Sequence, residues 1–150
     1  MENNIFKKTE QALYDYKSLE VKIKNLNIDI ESLKNDYSGI AAITYGEKTG
    51  ATNKFNSSVE NEVINREENA AVLIKKLEGI KLYNINLKNK IDNALETLDE
   101  TELTLVQLRY FHKPKKTWIS IAEELRIDKD YCCKVKNCII NKLSDLIYSF

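Results

Sequence analysis

The chain has 150 residues, 23 of them Lys or Arg and 23 Asp or Glu, so its formal net charge is zero. That length fits one or two small domains. The three cysteines, Cys132, Cys133 and Cys138, are odd in number and clustered, which excludes a disulfide framework and points to a reducing cytoplasm.

Met1-Glu2-Asn3-Asn4 is not a basic stretch leading into an apolar run, so no signal peptide is expected. No apolar run approaches the roughly 20 residues a membrane span needs. One proline, Pro114, and four glycines leave long stretches without a breaker, and an all-α fold is the expectation. The neutral total hides an asymmetry. From His112 to Phe150 there are eight basic and five acidic residues, a net of +3 balanced by −3 elsewhere. A basic end of this size is compatible with a surface that faces phosphates.

The first patterned segment carries Ala12, Tyr16, Leu19, Ile23, Leu26, Ile30, Leu33 and Tyr37 at alternating steps of four and three. This spacing keeps one apolar seam on one helix face. Thr9 is the expected N-cap. From Ser38 to Asn56 the pattern fails: Gly39, Gly46 and Gly50 lie among Thr, Asn and Ser, which predicts a loop over 38–57. Its apolar patch, Ile40 to Ile43 with Tyr45, is expected to fold back on the helices.

A second seam follows: Val59, Val63, Arg66, Ala70, Leu73, Leu77, Ile80, Asn84, Leu87, Ile91, Ala94 and Leu98, with Ser57 or Ser58 as N-cap. Arg66 and Asn84 interrupt it, either as register-setting polar residues or as positions at an exposed edge. Residues 1–98 therefore read as a long, coiled-coil-like helical hairpin, and seams of this length predict a homodimer through the heptad-patterned helices.

After residue 98 the helices shorten, and 99–150 read as a separate domain. Leu105, Val106, Leu108 and Tyr110 define a helix ending near Phe111. The loop His112-Lys113-Pro114-Lys115-Lys116 follows, with Pro114 biasing Lys113 away from helix. Thr117 is the expected N-cap of a helix carrying Trp118, Ile121, Ala122 and Leu125. Arg126-Ile127 make a tight turn, and Asp128 caps a last helix whose apolar face is Cys132, Val135, Ile139, Leu143 and Leu146. A short helix, a short turn and a second capped helix are the parts of a helix-turn-helix. Ala122 is small where the two helices would cross.

Leu108-Arg109-Tyr110-Phe111, Trp118-Ile119-Ser120-Ile121-Ala122-Glu123-Glu124-Leu125 and Ile127-Asp128 together resemble region 4 of bacterial sigma factors, over about the last 45 residues. Asp128 stands where that family has a capping Ser. Arg126 stands where it often has Gly, which implies a different turn or a left-handed residue held at some cost. The whole layout, with Ser58-Val59-Glu60 opening the long second helix, resembles phage late-gene transcriptional activators of the ArpU/RinA type.

The resemblance implies a sequence-specific regulator of transcription that binds double-stranded DNA, with RNA polymerase as a further partner. It assigns Lys129, Asp130, Tyr131, Cys133, Lys134 and Asn137 to the groove-facing side of the last helix, with Tyr131, Lys134 and Asn137 on base edges. Lys115, Lys116 and Thr117 are assigned to a phosphate at the start of the preceding helix. Two alternatives share these parts: a terminase small subunit that packages phage DNA, and a sigma-like module that binds polymerase with little DNA affinity.

No enzyme, cofactor or metal site is expected. Adjacent cysteines on a helix point about 100° apart, and the only histidine, His112, lies in a distant loop, so zinc-ligand spacing is lacking. His112 has no triad-type partner. Gly46, Lys48 and Gly50 lack the Gly-Lys-Ser/Thr ending of a phosphate loop.

Overall fold

The computed structural model describes the backbone of residues 2–43 and 57–148, and the side chains of 4–36 and 62–148. The fold is all-α. Helix α1 spans Glu2–Ile43, α2 Ser57–Leu95, α3 Glu100–Val106, α4 Trp118–Leu125 and α5 Lys129–Tyr148. α3 continues into a wider, π-type turn over Gln107–Phe111, where the His112 amide donates to the Gln107 carbonyl at 2.9 Å. Among the described residues no helix is long and apolar enough to cross a membrane.

The chain forms two compact units: Met1–Val21 with Asn84–Phe150, and Lys22–Tyr83. The first unit holds nearly all of the buried core. Leu13, Ile91, Leu105, Ile121, Ile140 and Leu143 are completely buried, with Ile139 and Ile147 almost so. Each such side chain contributes about 1.5–3 kcal/mol through burial.

α1 is covered on more than its heptad seam here: Ala12 and Leu19 are buried as the spacing predicts, but so are Thr9 and Leu13. Thr9 is therefore not the N-cap. It lies two turns inside α1, and its hydroxyl donates to the Ile5 carbonyl at 2.9 Å, which allows a polar residue to be buried. The junction after α2 is held by local caps. Asp99 and Glu102 form a reciprocal capping box, at 2.8 and 3.1 Å, that starts α3. The Lys142 ammonium donates to the Thr97 carbonyl at 2.7 Å.

In the second unit α1 presents Ile23, Leu26, Ile30 and Leu33 as its covered face, and among the described residues of this unit Ile30 is the buried hydrophobic one. Lys34 of α1 pairs with Glu78 of α2 at 3.0 Å.

The seam on α2 differs from expectation. Its covered positions in this unit are Val63, Glu67, Ala70, Ile74, Leu77 and Lys81, whereas Arg66, Leu73 and Ile80 are exposed. Leu73 and Ile74 are adjacent and equally apolar, so periodicity alone cannot choose between them. The long stems of Glu67 and Lys81 can line the edge of a seam while their charges stay in water. Arg66 sits on the exposed side and pairs with Glu62 at 2.7 Å.

The loop expected over 38–57 is shorter than the pattern suggested. α1 continues through Ile43, and Ser57 already belongs to α2. One glycine costs a helix about 1 kcal/mol relative to alanine, and Gly39 is followed by the helix-compatible run Ile40-Ala41-Ala42-Ile43. Residues 44–56, with Tyr45, Gly46, Lys48 and Gly50, lie outside the described residues, as do the side chains of Tyr37, Ile40, Ile43 and Val59.

Candidate functional site

The site is built on α4, the turn Arg126–Asp128 and α5. Thr117 caps α4: its hydroxyl accepts from the Ser120 amide at 3.2 Å. Leu125 ends the helix because Arg126 adopts a left-handed conformation, φ 55° and ψ 42°. That conformation lets the Ile127 amide reach back to the Ala122 carbonyl at 3.0 Å. A non-glycine residue pays roughly 1–2 kcal/mol for it. Half-buried Ile127 packs against the core, and Asp128 caps α5 by accepting from the Asp130 and Tyr131 amides at 2.8 and 3.3 Å. Ala122 is buried and α4 packs on α5. The two helices thus meet at a small side chain and turn sharply at a strained corner.

α5 buries Cys132, Ile139, Ile140, Leu143, Ser144 and Ile147. The expected face is corrected at its end: Leu146 is exposed, and Ile140, Ser144 and Ile147 turn inward instead. Here the end of α5 runs beside the long helices, with Lys90 of α2 donating to the Ile147 carbonyl at 3.5 Å and Lys8 of α1 over the Tyr148 ring at 4.3 Å, and the buried side turns toward them. Burial raises the Cys132 thiol above its ordinary range, with neighbouring Cys133 adding to the effect. Cys133 is half-buried and Cys138 exposed.

On the opposite side Lys129, Asp130, Tyr131, Lys134 and Asn137 are exposed, and Cys133 stands at their edge. None of these side chains hydrogen-bonds or ion-pairs with another described residue. They occupy one side of a single capped helix.

Lys115, Lys116 and Thr117 are placed differently. Lys115 lies over the Tyr14 ring of α1 at 3.8 Å, and Lys116 pairs with Glu124 of α4. Thr117 spends its hydroxyl on the cap. The structure therefore gathers the α5 residues on one open face and gives the two loop lysines partners within the chain.

Two further residues, not singled out as site residues, brace these elements, Arg109 at the loop and Lys136 against α1. Arg109, in the π-type turn, donates from Nη1 to the Lys116 carbonyl at 2.8 Å and lays its guanidinium over Trp118 at 4.6 Å. Its Nε is buried with no hydrogen-bond partner. Lys136 points away from the open face of α5, toward Glu10 at 3.6 Å and the Phe6 ring at 5.3 Å. The signal in sequence was the Leu-Arg-Tyr-Phe element itself, since an arginine within an apolar helix end needs an acceptor.

α1 supports the site from below. Tyr110 is edge-on to Tyr14 with ring centroids 4.6 Å apart, and Phe111 stacks on Tyr16 at 4.6 Å. Tyr110 donates to Glu10, and burial together with that carboxylate raises its hydroxyl well above the ordinary tyrosine range.

These features define a small all-α protein in which two capped helices, joined by a strained turn, are fixed to the ends of two long ones. The chain belongs to the family described as protein of unknown function (DUF722), which matches residues 5–145. No curated protein and no solved structure matches the chain.

Proposed function

We propose that this protein is a sequence-specific, double-stranded-DNA-binding regulator of transcription, with α5 entering the major groove. The observation that carries the reading is the open face of α5. Lys129, Tyr131, Lys134 and Asn137 project from a helix whose start is fixed by the Asp128 cap and whose other side is locked into the core. Lysine and asparagine hydrogen-bond to base edges, and lysine also neutralises phosphates. A groove-reading helix needs this combination of a rigid back and an unencumbered front.

The basic excess of residues 112–150 supports the same reading, since Lys113, Arg126, Lys129 and Lys134 are all exposed. The resemblance to phage late-gene activators narrows the class to a phage-encoded activator, with RNA polymerase as a second partner.

Selection of binding sites from random duplex, followed by mobility-shift titration at several salt concentrations, tests the proposal. The expected result is enrichment of one short motif and affinity that falls steeply with salt, by about 0.9 in the slope of log K against log salt for each phosphate contact. Failure to bind duplex at low ionic strength overturns it.

A further inference from the structure

We infer that Asn141 is a further base-reading residue of α5, and that the base it selects is adenine. The inference rests on the DNA-binding reading and names one specificity determinant within it.

Around α5, at about 100° per residue, Asp130, Cys138 and Asn141 fall within about 40° of Lys134. Tyr131 and Asn137 flank this line at about 60° on either side. All six residues are exposed. Cys133 lies about 100° from Lys134 and is half-buried, so the middle of the open face runs through Cys138 and not through Cys133. The line continues about two turns past Lys134 and reaches Asn141.

Inside the chain the Asn141 side chain has no use. Its backbone carbonyl accepts from the Ser144 hydroxyl at 2.7 Å, but its amide group hydrogen-bonds with no other described residue. Asparagine is also a poorer helix former than alanine, so at an exposed place inside α5 it costs stability and returns none. What the side chain offers is a carbonyl oxygen and an NH2 donor side by side. That pair matches the N6 donor and N7 acceptor of adenine in the major groove. Cys138, three residues earlier, is small and does not hold the helix off the base edges.

Beyond Asn141 the open face is flanked by other elements. Ile5 of α1 shares with Asn141, Ser144 and Asp145 a recess of about 310 Å³. Lys142 is drawn to the α2–α3 junction, where it donates to the Thr97 carbonyl at 2.7 Å and approaches Glu102 at 3.5 Å. Asn141 is thus the last residue of the line before its flanks close in. Being uncharged, it adds to sequence preference and not to salt dependence.

Selection of sites from random duplex with the parent and with Asn141→Ala tests the inference. The parent motif should contain an adenine that becomes degenerate in the variant's motif while the other positions keep their preference. On the parent's selected duplex Asn141→Ala should bind about tenfold or more weakly. On scrambled duplex it should match the parent, with the same slope of log K against log salt, since no charge is lost. Replacing that adenine by 7-deazaadenine, which lacks the N7 acceptor, should weaken the parent and leave the variant unaffected. The position is exposed and alanine favours helix, so the circular-dichroism signal should not fall. The Cys138 thiol reports on the same line: the selected duplex should slow its alkylation by a maleimide. A variant that selects the parent's motif, a preference lost at a base other than adenine, or a Cys138 thiol that reacts as fast in the saturated complex as in the free protein overturns the inference and leaves the DNA-binding reading standing. A parent chain that binds no duplex at low ionic strength overturns both.

Discussion

The Tyr110 hydroxyl donates to Glu10 at 2.8 Å, a bond between residues one hundred positions apart in the chain. It joins the first turns of α1 to the π-type turn that ends the α3 segment. Lys136 of α5 approaches the same carboxylate at 3.6 Å. One acidic side chain on α1 therefore holds two of the C-terminal elements that frame the candidate site.

Tyr110→Phe should lower the stability of the first unit by about 1.5–3 kcal/mol, the range of a hydrogen bond to a charged acceptor. Leu13→Ala should cost more, about 2–5 kcal/mol, because it leaves a cavity in a fully buried position. Urea unfolding midpoints of the two variants check both values and their order.

Asp92 accepts from Tyr16 at 2.5 Å and from Lys88 at 2.8 Å. Partial burial pushes its carboxyl up, but the bonds from Lys88 and Tyr16 outweigh this and hold it below the ordinary range. The group's contribution is thus complete above the unfolded carboxyl pKa of about 3.9 and is lost as pH falls through the lower folded value. Burial, then the Asp92 bond, raises Tyr16. The Asp92 bond raises Lys88 despite desolvation. Their contributions are complete below about pH 10 and are lost as pH rises through the folded values. Thermal melts should therefore show a plateau between these limits, and Asp92→Asn should flatten the acid limb.

Arg126→Gly should stabilise the protein by about 0.5–1 kcal/mol, because the left-handed penalty of roughly 1–2 kcal/mol exceeds the extra chain entropy of glycine. Arg126→Val should destabilise it. Under the proposed function, the glycine variant also loses one exposed cation near α5 and should bind duplex more weakly with a shallower salt slope. Calorimetry and salt-dependent mobility shifts separate the two effects.

Lys134→Ala with Asn137→Ala should abolish preference for the selected DNA motif while leaving helicity intact, since both side chains are exposed and make no internal bond. Lys115→Ala and Lys116→Ala should have smaller effects, because each lysine already has a partner within the chain. Titrations on cognate and scrambled duplexes distinguish lost specificity from lost affinity.

How much of this was legible in sequence depended on the range of the interactions. The caps at Thr117 and Asp128 involve residues two or three positions apart, and they were read in place. So were the small Ala122, the buried Cys132 and the outward residues of α5, because a single helix period sorts them.

Contacts that join distant segments left no local mark. Leu13 stands beside a seam residue and gives no sign of sharing one core with residues of α3, α4 and α5. Arg109 is intelligible only once the Lys116 carbonyl is beside it. The Leu73–Ile74 pair shows the intermediate case: periodicity marked the right turn of α2, and packing against α1 selected the neighbour.

The first unit joins two segments separated by more than sixty residues, and this delays its folding on the ribosome. Leu13 and Leu19 are translated well before Ile140 and Leu143, yet lie in one core with them. At about 5–20 residues per second the wait is on the order of ten seconds. Throughout that interval Leu13 and Leu19 lack the late residues that bury them in the finished core. For the same reason, a fragment starting at residue 99 would leave behind Glu10, Leu13 and Ile91, and the C-terminal helices would have to assemble over a missing floor.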